Sequence, residues 1–235
     1  MIVAISGLTI EDKPWWRLRP RCGAAGAGKD ALAQRLVDKY DFVTLAFADP
    51  MKRMLIDVCA FTHTQMFGPS QERNKIDPRY GKTPREALQT LGDQWGRGYC
   101  KDLWAKYAIR NAFSITACQY KYSPECGIDK FKSGPENVVI TDVRYLNEFQ
   151  ELKKSNIKII RCKRNVPKLG VVPNHPSEVG LLHLPDSNFD YVIENNGTIQ
   201  DMWDKLDNIF SRDSHNLVYL HGSNICRSEK NANFI

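Results

Sequence analysis

The chain has 235 residues, 42% hydrophobic and 26% charged, the balance of a globular protein with enough apolar material for a core. Its net charge of +6 suits an anionic partner without choosing among nucleotide, nucleic acid and acidic surface. Seven cysteines without C-x-x-C spacing argue against a zinc site or disulfide framework, no stretch approaches the ~20 apolar residues of a membrane span, Met1–Gly7 lacks the basic start of a signal peptide, and a reduced, cytoplasmic setting is the expectation.

In chain order, Ile2–Ser6 reads as a short apolar strand ending at Gly7. Leu8–Cys22, with Pro14, Trp15, Trp16 and Pro20, breaks the pattern. A Gly/Ala loop, Gly23–Gly28, then leads into a helix from about Lys29, with Leu32, Leu36 and Tyr40 on one face. Phe42–Ala48 is rich in strand formers. Asp49-Pro50 follows as an N-cap and first-turn proline, with Met51, Met54, Leu55 and Val58 as the expected buried face of the helix. Gly68–Tyr80 is polar and reads as a mobile connection.

Thr83-Pro84-Arg85-Glu86 is a capping box, a strong local helix start, with Leu88, Leu91 and Trp95 as its apolar stripe. Arg85, Gln89 and Gly92 fall on a different face. Asp102–Phe113 reads as a further helix, and residues 115–136 as an irregular surface excursion. Val138–Thr141 before Asp142 has the pattern of a buried parallel strand. A helix over Asn147–Lys154, strands at Ile157–Cys162 and Tyr191–Glu194, and a helix capped by Thr198 with Ile199, Met202, Leu206 and Ile209 complete the pattern. Alternating strands and helices predict an α/β fold with a parallel sheet. One domain is expected over residues 1–211, and residues 212–235 as a loosely held tail.

Gly23-Ala24-Ala25-Gly26-Ala27-Gly28-Lys29 matches G-x-x-x-x-G-K. Phosphate needs a ring of backbone N–H groups that side chains beyond methyl size would block. The helix N-terminus adds unpaired donors, and the lysine adds a point charge. Two departures stand out. The usual Ser or Thr after the lysine is Asp30, which still offers a hard oxygen to Mg²⁺. The loop is also separated from its strand: deleting Leu8–Gly23 would leave Ile-Ser-Gly-Ala-Ala-Gly-Ala-Gly-Lys-Asp, so these 16 residues read as an insertion within the motif. Such looping out costs a few kcal/mol of closure entropy and threatens the geometry of the cradle.

Further segments follow in order: Phe-Ala-Asp-Pro-Met-Lys at 47–52, Thr-Pro-Arg-Glu-Ala-Leu-Gln-Thr-Leu-Gly at 83–92, Val-Ile-Thr-Asp-Val-Arg-Tyr-Leu-Asn-Glu at 139–148, His-Pro-Ser-Glu at 175–178 and Val-Ile-Glu-Asn-Asn-Gly at 192–197. With Gly-Lys-Asp at 28–30, the set resembles the bacteriophage deoxynucleoside monophosphate kinases, relatives of the nucleoside monophosphate and dephospho-coenzyme A kinases.

The resemblance implies a three-layer P-loop kinase fold, a central parallel sheet flanked by helices. It implies ATP and a deoxynucleoside monophosphate as co-substrates, and a cytoplasmic location, the host's if the source is a phage. ATP would meet Gly26, Ala27, Gly28, Lys29, Asp30, Ala31 and Asn196, with Ala31 where the family commonly has threonine. Mg²⁺ would be held by Asp30 and Asp142, and the acceptor by Met51, Lys52, Arg85, Gln89, Gly92, Asp142, Arg144, Glu148, His175 and Glu178. Lys29, Arg85, Asp142, Arg144 and Arg164 are the expected catalytic set, Arg161, Lys163 and Arg164 resembling a basic lid and Glu148 expected to accept from the nucleotide. The physics agrees at Arg85, in the first turn of its helix, where dipole and guanidinium both favour phosphate. Gly92 admits either a ligand or tight helix packing. Asp142, at a strand's end, would hold Mg²⁺ through water, orient the acceptor phosphate, or bond sugar and base.

Three alternatives compete: a kinase of another small acceptor such as dephospho-coenzyme A, a nucleic-acid module around Trp15-Trp16-Arg17, and a P-loop protein disabled by its insertion. No zinc spacing or RRM signature supports the second. Dimerisation is left open by the sequence.

Overall fold

The computed structural model describes residues 1–11, 22–23, 26–117, 121–125, 127–129, 137–167 and 179–217. In chain order the elements are β1 (Ile2–Glu11), β2 (Cys22–Gly23), α1 (Lys29–Tyr40), β3 (Phe42–Ala46), α2 (Asp49–Cys59), α3 (His63–Phe67), α4 (Ser70–Arg73) and α5 (Pro84–Gln89). A π-helix (Thr90–Arg97) continues α5 and is followed by α6 (Leu103–Thr116), β4 (Lys121–Ser123), β5 (Gly127–Asp129), β6 (Asn137–Thr141) and α7 (Leu146–Lys154). Then come β7 (Lys158–Val166), a 3₁₀ turn (Asp186–Asn188), β8 (Tyr191–Glu194) and α8 (Ile199–Leu217). No helix among the described residues is long and apolar enough to cross a membrane.

Five parallel strands form the sheet in the order β3–β6–β1–β7–β8. Alternate side chains go to opposite faces, and the two cores divide accordingly. Ala4, Leu45, Val138, Ile140 and Ile159 pack with α6 and α7 through Ala108, Ala112, Ile115 and Leu152. Val3, Ile5, Val139, Ile160 and Ile193 pack on the other face with Leu32 and Leu36 of α1 and Met202, Leu206 and Phe210 of α8. The expected three-layer α/β architecture with a parallel central sheet is the observed one.

The first strand is longer than the sequence pattern suggested. It pairs with β6 only through Ile2–Ala4, but with β7 from Val3↔Lys158 to Glu11↔Val166. The polar residues Thr9 and Glu11 are buried in this extension, and periodicity alone could not place them there. The chain then returns as β2, antiparallel, with Thr9↔Gly23 and Ile10↔Cys22. The insertion therefore leaves and re-enters the sheet through a paired stem.

Helix details also differ from expectation. Asp49 is the first residue of α2 rather than its cap: its buried carboxylate reaches back to accept from Ala46 N at 2.8 Å. Met51 and Leu55 are buried, while Met54 and Val58 are exposed. Gly68–Tyr80 is structured, containing α4 and a buried Asp77 that accepts from Arg79 Nε and Nη2 at 2.9 and 2.7 Å. The 115–136 segment contains the last turn of α6 and the β4–β5 hairpin, held to α2 by Arg53 Nη1, which donates to Pro124 O at 2.6 Å. At the C-terminal end the helix continues six residues past Ser211, to Leu217.

The Thr83–Glu86 capping box is present: Glu86 N donates to Thr83 Oγ1 at 3.1 Å and Thr83 N to Glu86 Oε2 at 2.8 Å. Downstream the helix widens into the π form, which changes the angular advance per residue. Trp95, expected in the apolar stripe, is thereby left 53% exposed. Gly92 and Gly96 are buried instead, and Trp104 lies against them, donating from Nε1 to Gly92 O at 2.9 Å.

Helix α8 is clasped to α1 by one carboxylate. Asp207 accepts from Arg35 Nη2 and Lys39 Nζ, both at 2.7 Å, and from Tyr40 Oη at 3.0 Å. Burial opposes its ionisation, but these three partners hold its pKa at about 2.

Two outcomes follow. A Cβ at Gly96 would overlap the Trp104 indole, whereas one at Gly92 would meet the ends of two flexible side chains, Met51 Sδ at 3.1 Å and Arg97 Nη1 at 3.8 Å. Gly96→Ala is therefore expected to cost about 1–3 kcal/mol in urea denaturation, and Gly92→Ala less. The Asp207 clasp contributes fully above about pH 4, the ordinary carboxylate range, and is lost as the pH falls toward 2. Asp207→Asn should flatten the pH dependence of stability in that window, measured by thermal melting between pH 2 and 5.

Candidate active site

After Ala4, β1 parts from β6 and stays with β7, opening a crevice at the C-terminal edge of the sheet, where ligands bind in open α/β folds. The phosphate-loop candidate lies on one side. Gly26 and Gly28 have φ of +78° and +99°, left-handed conformations natural to glycine. Leu32 N donates to Gly28 O at 3.2 Å, starting α1 at Lys29. Ala27 is fully buried, and Ala31 is half-buried against the α1–α8 core.

Across the crevice β6 ends at Thr141 and is followed by Asp142, whose φ of +65° is an uncommon conformation for a non-glycine residue. Its carboxylate accepts from Lys29 Nζ at 2.8 Å and from Arg144 Nη2 at 3.3 Å. Lys29 Nζ also donates to the exposed Asp30 at 3.1 Å. Burial, the largest single influence on Lys29, favours the neutral amine, but Asp142 and Asp30 outweigh it and raise the pKa. Burial likewise opposes ionisation of Asp142, but Arg144 and Lys29 prevail and hold its carboxyl below the ordinary range. Both groups are charged at neutral pH.

Behind this pair lies a cavity of about 250 Å³. It brings together Met51, Lys52, Arg85, Gln89, Gly92, Asp142, Arg144 and Glu148, all expected around the acceptor. Among the described residues Arg73 has no ion-pair partner, and Lys52 has a long one. Lys52 Nζ stands 3.8 Å from Asp49, and burial, with Arg73 nearby, lowers its pKa. Arg73 is aimed by Met66 O and Gly68 O, each accepting at 3.1 Å, and burial and the neighbouring Arg85 depress its pKa. Clustered cations of this kind favour an incoming anion. A larger cavity of about 660 Å³ shares Gln89 and Asp93, but the cation among its described lining residues is Lys82, 3.7 Å from Glu86.

Several site expectations need correction. Glu148 lines the cavity, but Oε1 accepts from Arg97 Nη2 at 2.8 Å and Oε2 from the amides of Arg144 and Tyr145 at 3.0 and 3.1 Å. It caps α7 and holds the turn that carries Arg144, so its first role in the structure is to fix that turn. Arg161, Lys163 and Arg164 are residues of β7, not of a lid. Arg161 is 2% exposed, donates to Leu184 O, Leu181 O and Asp186 at 2.8 Å, and stacks 4.0 Å over Phe189. Lys163 pairs with Asp186 at 3.0 Å. Arg164 is exposed beside Thr9, outside the cavity. Asn196 Oδ1 accepts from Asn165 N at 2.8 Å, whereas its neighbour Asn195 reaches the phosphate loop. His175 and Glu178 lie outside the described residues.

Arg73, Asp93, Arg97 and Tyr145 were not anticipated in this cavity. Arg97 stacks 3.8 Å over Tyr145 and bridges Asp93, at 2.5 Å, to Glu148. A signal did exist for two of them. Arg85, Gln89, Asp93 and Arg97 recur every fourth residue, and the π-helix keeps the later members facing the cavity as an α-helix would not.

Comparison with known proteins points the same way. A sequence family described as "Deoxynucleotide monophosphate kinase" matches residues 109–206. A protein of Acanthamoeba polyphaga mimivirus, described as "Putative deoxynucleotide monophosphate kinase", is 29% identical over 189 residues, covering 78% of this chain and 91% of the viral protein. Both similarities include Asp142, Arg144 and β7.

With its guanidinium buried against two carbonyls and Phe189, Arg161 serves the fold. Arg161→Met should cost about 3 kcal/mol in urea denaturation; an unchanged midpoint would return it to the ligand-binding role first expected of it.

Proposed function

We propose that the protein transfers the γ-phosphoryl group of ATP to a deoxynucleoside monophosphate, giving a deoxynucleoside diphosphate and ADP. The observation that carries this reading is the 2.8 Å contact between Lys29 and Asp142. It ties the Gly26–Lys29 loop, with its two left-handed glycines, to the wall of a cavity lined by Lys52, Arg73, Arg85 and Arg144. Donor and acceptor phosphates would meet across one ion pair. The two sequence similarities support the acceptor class.

In this reading the loop amides and Lys29 hold the β and γ phosphates, and the triphosphate replaces Asp142 as the partner of Lys29. Arg85 and Arg144, with Lys52 and Arg73, align the acceptor phosphate for in-line attack. An oxygen of that phosphate forms a bond to Pγ while the β–γ bridging bond breaks, its electron pair remaining on ADP. The acceptor phosphate is largely a dianion at neutral pH, so no side chain need remove a proton. The cations hold the charge spread over the equatorial oxygens.

Mg²⁺ suits the donor set: Asp30 and Asp142 supply hard oxygens on either side of Lys29 Nζ, and no group of three metal-binding side chains occurs among the described residues. Such a site matches an ion that keeps water and phosphate among its ligands. Asp30 and Asp142 would hold Mg²⁺ there, and its charge would offset that of the phosphates.

The test is a coupled assay with Mg-ATP and each of dAMP, dCMP, dGMP and dTMP, with dephospho-coenzyme A as the competing acceptor. Lys29→Ala should lower kcat/KM by at least about 100-fold, and Arg85→Ala should raise the KM for the monophosphate about 10–100-fold with the KM for ATP little changed. ADP formation that ignores the monophosphates, or that requires dephospho-coenzyme A, would overturn the proposal.

A further inference from the structure

A phosphate loop ordinarily takes its position from the strand that runs directly into it. Here β1 continues past Gly7 to Glu11, and the chain reaches Gly26 only after returning through β2. The loop is nonetheless anchored, and its anchors come from the other side. Asn195, immediately after β8, donates from Nδ2 to Ala27 O at 2.9 Å. Its own N–H is fixed to Lys163 O of β7 at 2.7 Å. Cys162 of β7 brings Sγ to within 3.0 Å of the same Ala27 carbonyl. Burial pushes that thiol up to about 12, so it stays an S–H donor.

The fit at this contact is close. A Cβ on Gly28 would run into the Asn195 carboxamide and stand 3.4 Å from Met202 Sδ of α8. The two residues before the lysine are thus gripped by β7, by the turn after β8 and by α8. On the opposite side Thr9 Oγ1 of the extended β1 stands 3.9 Å from where a Cβ on Gly26 would be. The loop sits between the stem of its own insertion and this clamp.

We propose that Asn195 is a positioning residue for the nucleotide: it fixes the phosphate loop laterally and so takes over the role of the strand connection that the insertion interrupts. It acts through Ala27 and Gly28 and need not touch the ligand. The proposal rests on the reading of Gly26–Lys29 as the ATP cradle. It predicts a coupling between two distant features, the Asn195 carboxamide and the inserted segment, that a plain structural hydrogen bond would not show.

Calorimetric titration of the full chain with Mg²⁺ and a non-hydrolysable ATP analogue, and separately with the four deoxynucleoside monophosphates, tests it. Asn195→Ala should weaken analogue binding about tenfold and leave monophosphate binding within about twofold. Asn195→Asp keeps the shape but turns an acceptor toward Ala27 O, and should lose at least as much. Cys162→Ala should lose about threefold and Cys162→Ser recover it, since the hydroxyl restores a donor. In a chain lacking Leu8–Gly23, where the strand again meets the loop, the Asn195→Ala effect should fall below about threefold.

Equal losses of both ligands, or an unchanged affinity for the analogue in Asn195→Ala, would overturn the clamp. If the shortened chain does not fold, the selectivity of the loss in the full chain decides alone. Lys29→Ala separates the two ideas. Unchanged analogue binding in that variant would remove the ATP reading of the loop, whereas a large loss there beside a silent Asn195→Ala would remove the clamp only.

Discussion

The ion pair between Lys29 and Asp142 joins the two halves of the site, and much of the geometry around it serves to make that contact. The side chain of Lys29 is 10% exposed and that of Asp142 is 36% exposed, so the pair is part desolvated and would not hold without good geometry. Asp142 reaches the lysine from a left-handed backbone at the end of β6. Arg144 steadies it from the next turn, and Glu148 holds that turn by accepting two of its amides. Lys29 is placed by a helix start that requires Gly28 in a conformation other residues avoid. In the proposed reaction a triphosphate would displace Asp142 from Lys29 because it brings more charge, and the carboxylate would stay beside Arg144.

The insertion raises a separate mechanical question, since a strand that overshoots its loop by several residues would ordinarily leave the loop hanging. The described stem shows how this is avoided. Pairing with β7 continues to Val166, so the extension adds parallel sheet, and β2 brings the chain back alongside it. The cost is that β1 no longer runs directly into the loop. The contacts from Cys162 and Asn195 to one carbonyl are the structural answer to that misalignment.

The fold was legible in the sequence because most of its strands are short apolar runs bounded by turn residues, and its best helix starts carry their own caps. Val138–Thr141, Tyr191–Glu194 and the Thr83 box needed no tertiary information. The misses have specific physical origins. Thr9 and Glu11 are polar residues buried by pairing with β7, and Trp95 is turned outward because a π-helix changes the phase of its face. Val58 occupies an apolar position near the end of α2, where the core no longer covers it. The 250 Å³ cavity was legible where motif residues line it. Arg73 was not, since it sits in a polar segment whose order depends on Asp77, Arg79 and carbonyl contacts far from any periodic pattern. Arg161 and Glu148 share one feature: a charged residue in a motif region is read as facing ligand, yet both are buried and hydrogen-bonded within the protein.

The surplus of cations around the cavity carries a consequence for stability as well as binding. Lys52 is destabilised in its charged form by burial and by Arg73, and Arg73 in turn by burial and by Arg85. Neutralising any of them would relieve that repulsion, so the site holds free energy against folding until an anion enters. A phosphate dianion would relieve it at several contacts at once, which makes occupancy and stability rise together. Two of the cavity's arginines are braced by uncharged acceptors, Met66 O and Gly68 O for Arg73 and Asn74 Oδ1 for Arg85, whereas Arg97 and Arg144 pair with carboxylates. A carboxylate brace would compete with phosphate for the same guanidinium, whereas carbonyls fix its direction and leave its charge for the ligand.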